Sequence, residues 1–126
     1  MRQTGQVPIL RVAGVLLVAI QVDLGDTVAT ALQEDVLEAI ARTGSTGLLI
    51  DVTGLEMVDS FVARVLVDTG RMARLMGTET VIVGLRPEVA GTLVRMGFDV
   101  SEVQAALDID EGLERLGCKV VRRGAD

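Results

Sequence analysis

Two uninterrupted apolar runs constrain this chain more than any other feature. Gly47-Leu48-Leu49-Ile50-Asp51 and Thr80-Val81-Ile82-Val83-Gly84 lack the polar alternation of a half-exposed strand. Runs this short and this apolar fit strands buried on both faces, as in a parallel sheet. Between them Val62, Val65, Leu66, Thr69, Met72, Ala73 and Met76 recur at helical spacing. Strand, helix and strand in that order make a right-handed crossover with its two strands parallel.

The rest of the chain extends this unit. PILRVAGVLLVAIQ predicts two short strands joined at Ala13-Gly14. Gly25-Asp26 supplies a turn and an N-cap, and Val28, Leu32, Val36 and Ile40 form the stripe of an amphipathic helix ended by Thr43-Gly44. Gly70 falls inside the second helix and weakens it by up to ~1 kcal/mol relative to Ala. Close approach of another backbone is the ordinary reason for such a glycine. Pro87 suits a first helical position. Val89, Leu93 and Met96 follow as a stripe, and Gly97 stops it. EVQAAL predicts a last short strand, and Asp108 caps a short helix in DIDEGLERLG. The order is β-β-α-β-α-β-α-β-α. This predicts an α/β fold with a small mixed, mainly parallel sheet. Without repeats or linkers, residues 1–126 read as one domain.

Several function classes are excluded by missing residues. There is no His, which removes His-based triads and imidazole acid–base chemistry. Cys118 is the only cysteine, so neither an internal disulfide nor a thiolate zinc cage is available. No phosphate-binding loop of the GxxxxGK type is present, and no metal or cofactor is expected. The net charge is −6, from 12 basic and 18 acidic residues, which argues against nucleic acid as a partner. The longest apolar run, Val12–Ile20, has nine residues, whereas a membrane span needs about 20. With no secretory signal legible, the expected location is the cytoplasm. Met57, Met72, Met76 and Met96 are expected as filler in the core and at interfaces.

In parallel sheets, function gathers at the carboxyl ends of the strands. Asp23, Asp51 and Ser60 all fall beyond predicted strand ends. Asp51 could be a phosphoacceptor of the receiver type, but the first strands carry no acidic pair. The plainer role is a hydrogen bond to the loop Val52-Thr53-Gly54. Ser60 could be an inert cap or first-turn residue. It lacks the partners of an enzyme nucleophile, yet being modified by another enzyme requires only exposure and a docking surface.

These residues also carry a family likeness. LLIDVTGLEMVDSFVARVL resembles the central segment of STAS domains, the anti-anti-sigma family, in which a strand ends in Asp and an Asp-Ser pair opens the next helix. PILRVAGVLLVAIQVDLGD, QEDVLEAIARTG, MVDSF, GLRPEVAGTLVRMG and VQAALDIDEGLERL resemble the RsbS-type stressosome branch, over roughly residues 7–117. The resemblance implies a small sheet with helices packed mainly on one side and a non-catalytic role. It implies phosphorylation at Ser60, with Asp59, Asp23 and Phe61 beside it. The implied partners are an RsbT-class serine/threonine kinase, RsbR-class STAS co-antagonists, an RsbX-class phosphatase and further copies of the chain. Many direct anti-anti-sigma factors follow Asp-Ser with a small residue and Gly, whereas here Phe61-Val62-Ala63 follows. That favours the stressosome branch over direct binding of an anti-sigma kinase. No sensor domain precedes the match, so a scaffold is expected rather than a co-antagonist.

Overall fold

The computed structural model describes residues 7–21, 24–55, 58–97 and 103–118. Five strands lie side by side in sequence order: β1 (Ile9–Val12), β2 (Val15–Ala19), β3 (Gly47–Asp51), β4 (Glu79–Val83) and β5 (Gln104–Ala106). β1 pairs antiparallel with β2, and every later neighbour is parallel. The first pair is joined at Ala13-Gly14, both at positive φ, the geometry of a two-residue hairpin turn that matches strand twist.

Among the described residues four helices connect or flank the strands: α1 (Asp26–Thr43), α2 (Ser60–Leu75), α3 (Pro87–Arg95) and α4 (Ile109–Arg115). α1 and α2 cover one face of the sheet. Leu16, Val18, Leu48, Ile50 and Ile82 point into that layer and meet Leu32, Val36 and Ile40 of α1 with Val62 and Leu66 of α2. The alternate residues Val15, Leu49, Val81 and Val83 point to the opposite face, where Leu113 and Leu116 of α4 and its flank pack on them. The two apolar runs are therefore buried on both faces, as their composition requires. α4 sits close to the sheet because Gly112 lies against Leu49 and Val83, where a Cβ would come within 2.8 Å and 3.0 Å of their side chains. α3 stacks beside α2 through Ala63, Val67 and Leu93.

Three expectations shift at the level of single residues. Gly25, not Asp26, occupies the cap position of α1; Asp26 is the first helical residue, and among the described residues no side chain caps this end. Its acid still favours the helix start through the dipole. Gly70 does not admit another backbone. A Cβ there would stand 2.8 Å from the Val103 side chain and 3.7 Å from Thr80, so the small residue admits side chains from the β4–β5 side. Met72 and Met76 are 39% and 43% exposed, at the rim of α2 rather than in its core face, while the stripe widens to include Ala63 and Val67. Met57 lies outside the described residues.

Candidate functional site

The carboxyl ends of β2, β3 and β4 are joined by a short, tightly held loop. The Ile20 amide donates to the Asp51 carbonyl, and the Val52 amide to the Val83 carbonyl, each at 2.9 Å. One oxygen of the Asp51 carboxylate accepts from the Thr53 amide at 2.9 Å and from the Thr53 hydroxyl at 2.6 Å. That is the loop-bonding role expected of Asp51. Leu55 then turns back, its amide donating to the Val52 carbonyl, and its side chain is 1% exposed. Gly54 passes so close to β2 that a Cβ would stand 2.8 Å from the Ile20 carbonyl oxygen. Gly84, at positive φ, lies directly against Thr53.

Asp59 is the N-cap of α2. Its backbone is extended, and its carboxylate accepts from the Val62 amide at 2.8 Å. Ser60 is the first helical residue, exposed, and among the described residues its hydroxyl makes no hydrogen bond. The capping function is thus filled by Asp59, and the Ser60 hydroxyl is spare. Phe61, beside it, is 43% exposed, an uncommon position for one of only two phenylalanines in the chain. α2 alone among the four helices has no acidic residue in its first turn; Asp26, Glu88 and Asp110 with Glu111 occupy that place in the others. Backbone amides at a helix start lack intrahelical acceptors and favour an anion.

Ser60, Asp59 and Phe61 are therefore brought together at one exposed helix start. Asp51 lies at the head of the same loop with its carboxylate engaged by Thr53. Asp23 falls outside the described residues. Among the described residues no three His, Cys, Asp or Glu side chains converge into a metal-holding group. No helix among them is long and apolar enough to cross a membrane.

One residue at this end had no signal in the sequence. Arg86, at the cap position of α3, reaches across to the loop: its Nε donates to the Leu55 carbonyl at 3.1 Å and its Nη2 to the Thr53 carbonyl at 3.5 Å. The contacts join residues 31 and 33 apart in sequence, so only the parallel pairing of β3 with β4 brings them together.

A mainly parallel five-stranded sheet with an Asp-Ser pair opening the helix after its central strand defines a recognisable class. A STAS domain profile matches residues 6–112, and the chain belongs to the STAS domain family. It is similar to the RsbT co-antagonist protein RsbRA of Bacillus subtilis (strain 168), 33% identical over 86 residues, which are 68% of this chain and 31% of that protein. The chain thus spans under a third of that relative's length. Among solved structures it resembles a serine-to-glutamate variant of RsbS from Moorella thermoacetica. The two are 39% identical with a TM-score of 0.82, over 90% of this chain and 96% of that one. It also resembles a chain from a structure describing the molecular architecture of the stressosome, at 38% identity and a TM-score of 0.75, over 87% of this chain and 96% of that one.

Proposed function

We propose that this chain is a non-catalytic scaffold and antagonist in a stressosome-type assembly of a stress-response pathway. It holds an RsbT-class serine/threonine kinase in the cytoplasm, alongside RsbR-class co-antagonists and further copies of itself. Phosphorylation of Ser60 releases the kinase, and an RsbX-class phosphatase resets the site. The observation that carries this reading is the Ser60 hydroxyl: exposed, unbonded among the described residues, and relieved of capping by Asp59. The similarity to RsbS and to a stressosome chain, and a relative described as an RsbT co-antagonist, support it.

In the proposed reaction the kinase supplies the chemistry. The Ser60 oxygen loses its proton and bonds the γ-phosphorus of ATP, and ADP leaves. The product carries about −1.5 to −2 charges near neutral pH. The helix start favours that anion by roughly 0.3–1 kcal/mol, and the Asp59 carboxylate opposes it. The fold therefore survives the modification. A partner surface does not tolerate it, because burying an unpaired charge costs several kcal/mol, and about 1.4 kcal/mol is already tenfold in affinity.

The test is direct. An RsbT-class kinase with Mg-ATP should place one phosphate on Ser60, located by mass spectrometry, and the modified chain should lose the kinase on a sizing column. A wild-type chain that binds no such kinase and takes no phosphate would sink the reading. Sedimentation at micromolar concentration addresses assembly: a species larger than the 13.3 kDa monomer is expected.

A further inference from the structure

The turn after β3, residues 53–55, is tied down by a side chain from a different part of the chain. Arg86 occupies the cap position of α3, a place where Ser, Thr, Asp or Asn would satisfy the helix amides and Arg does not. Among the described residues no side chain caps α3. Instead the guanidinium turns to the Leu55 and Thr53 carbonyls, at 3.1 Å and 3.5 Å. Both acceptors belong to a turn outside the strand ladder. We propose that Arg86 is a positioning residue for the Ser60 switch, clamping residues 53–55 and so fixing where α2 begins relative to the sheet. This rests on the reading of Ser60 as the phosphoacceptor.

The chemistry suits Arg rather than Lys. A planar fork offers several donors in fixed directions and can serve two carbonyls at once, while an ammonium is a single flexible point. Other restraints on the turn come from polar bonds and close packing. They include the Asp51–Thr53 bonds, the close pass of Gly54 over Ile20 and the contact of Gly84 with Thr53. Those hold the turn against β2 and β4. Among the described residues, the Arg86 side chain ties it to the helix that follows β4. The start of α3, the turn and the start of α2 then behave as one surface, so a kinase that docks on it meets Ser60 in one orientation.

The experiment compares wild type, Arg86→Gln and Arg86→Lys as full chains. Two readouts are taken: amide hydrogen exchange at residues 53–55 in the isolated protein, and KM and kcat for phosphorylation of Ser60 by an RsbT-class kinase. For Arg86→Gln we expect exchange at the Leu55 amide to rise about tenfold, the scale of one lost charge-assisted hydrogen bond. KM should rise with kcat near the wild-type value, because the reacting groups are untouched. Arg86→Lys should recover part of both effects, which a purely steric role would not produce. Wild-type exchange and KM in Arg86→Gln would overturn the proposal. Absence of any phosphate on wild-type Ser60 would instead defeat the functional reading, and the exchange data would still decide whether Arg86 clamps the turn.

Discussion

Asp59 at the start of α2 and Asp108 at the start of α4 each accept a hydrogen bond from the amide three residues on, both at 2.8 Å. Beyond the cap the two ends diverge. At α4 the first turn carries Asp110 and Glu111. Glu111 folds back to accept from the Leu107 amide at 2.6 Å and receives Arg115 at 3.4 Å, while Ile109 packs into the core beneath the sheet. That end is closed by its own residues. At α2 the first turn has no acid, and Ser60 and Phe61 face outward. The same capping signal thus ends one helix start as structure and leaves the other open for chemistry. The difference lies in the residues after each Asp, and in which face of the sheet the helix covers.

The largest expected effect tests that distinction outright. Ser60→Ala should abolish phosphate incorporation while thermal stability stays within about 0.5 kcal/mol of wild type, because Asp59 rather than Ser60 caps the helix. Ile109→Ser creates the same Asp-Ser pair at α4 and should take no label. Phosphate on that serine would erase the comparison, since it would show that any capped start suffices.

The next effect in size falls on the loop that α2 has and α4 lacks. Gly54→Ala forces a Cβ to within 2.8 Å of the Ile20 carbonyl oxygen and 2.9 Å of the Gln21 Cα, backbone atoms that cannot turn aside. A loss of about 1–3 kcal/mol is expected, of the kind seen on overpacking, and denaturant midpoints would measure it. An unchanged midpoint would mean that the loop is softer than its contacts imply.

Removing the caps should cost about the same at both ends. Asp59→Ala and Asp108→Ala should each destabilise by ~0.5–2 kcal/mol. Only Asp59→Ala should also slow phosphorylation, because only there does the first turn present the acceptor. Equal labelling of both variants would assign the caps a structural role alone.

The smallest effect is on stability in Ser60→Asp. An acid in the first turn is favoured by ~0.3–1 kcal/mol, partly offset by neighbouring Asp59. Kinase affinity should nevertheless fall in the order wild type and Ser60→Ala, then Ser60→Asp, then phosphoprotein, since Asp brings less charge and fewer acceptor oxygens than phosphate. Titration at one salt concentration gives that order. Four equal affinities would place Ser60 outside the controlling surface.

Local pattern decided most of the elements of this protein. The apolar runs at Leu48–Ile50 and Val81–Val83 had to be buried on both faces, since no polar residue offers a side to water. Ala13-Gly14, Pro87, Gly97 and Asp108 mark a turn, a helix start, a helix stop and a cap through backbone preferences that act within a few residues. The Asp-Ser pair marked the candidate site for the same reason. Other features depend on contacts between residues far apart in the chain, and these emerge only when the elements pack. Gly70 makes room for Val103 and Thr80, and Gly112 for Leu49 and Val83. Arg86 finds carbonyls at 53 and 55 only once β3 and β4 lie side by side. Which of two adjacent residues caps α2 was also left open by sequence, because Asp and Ser are both good caps. Their order along the extended entry to the helix settles it: Asp59 holds the Val62 amide, and Ser60, one residue later, is turned out to solvent.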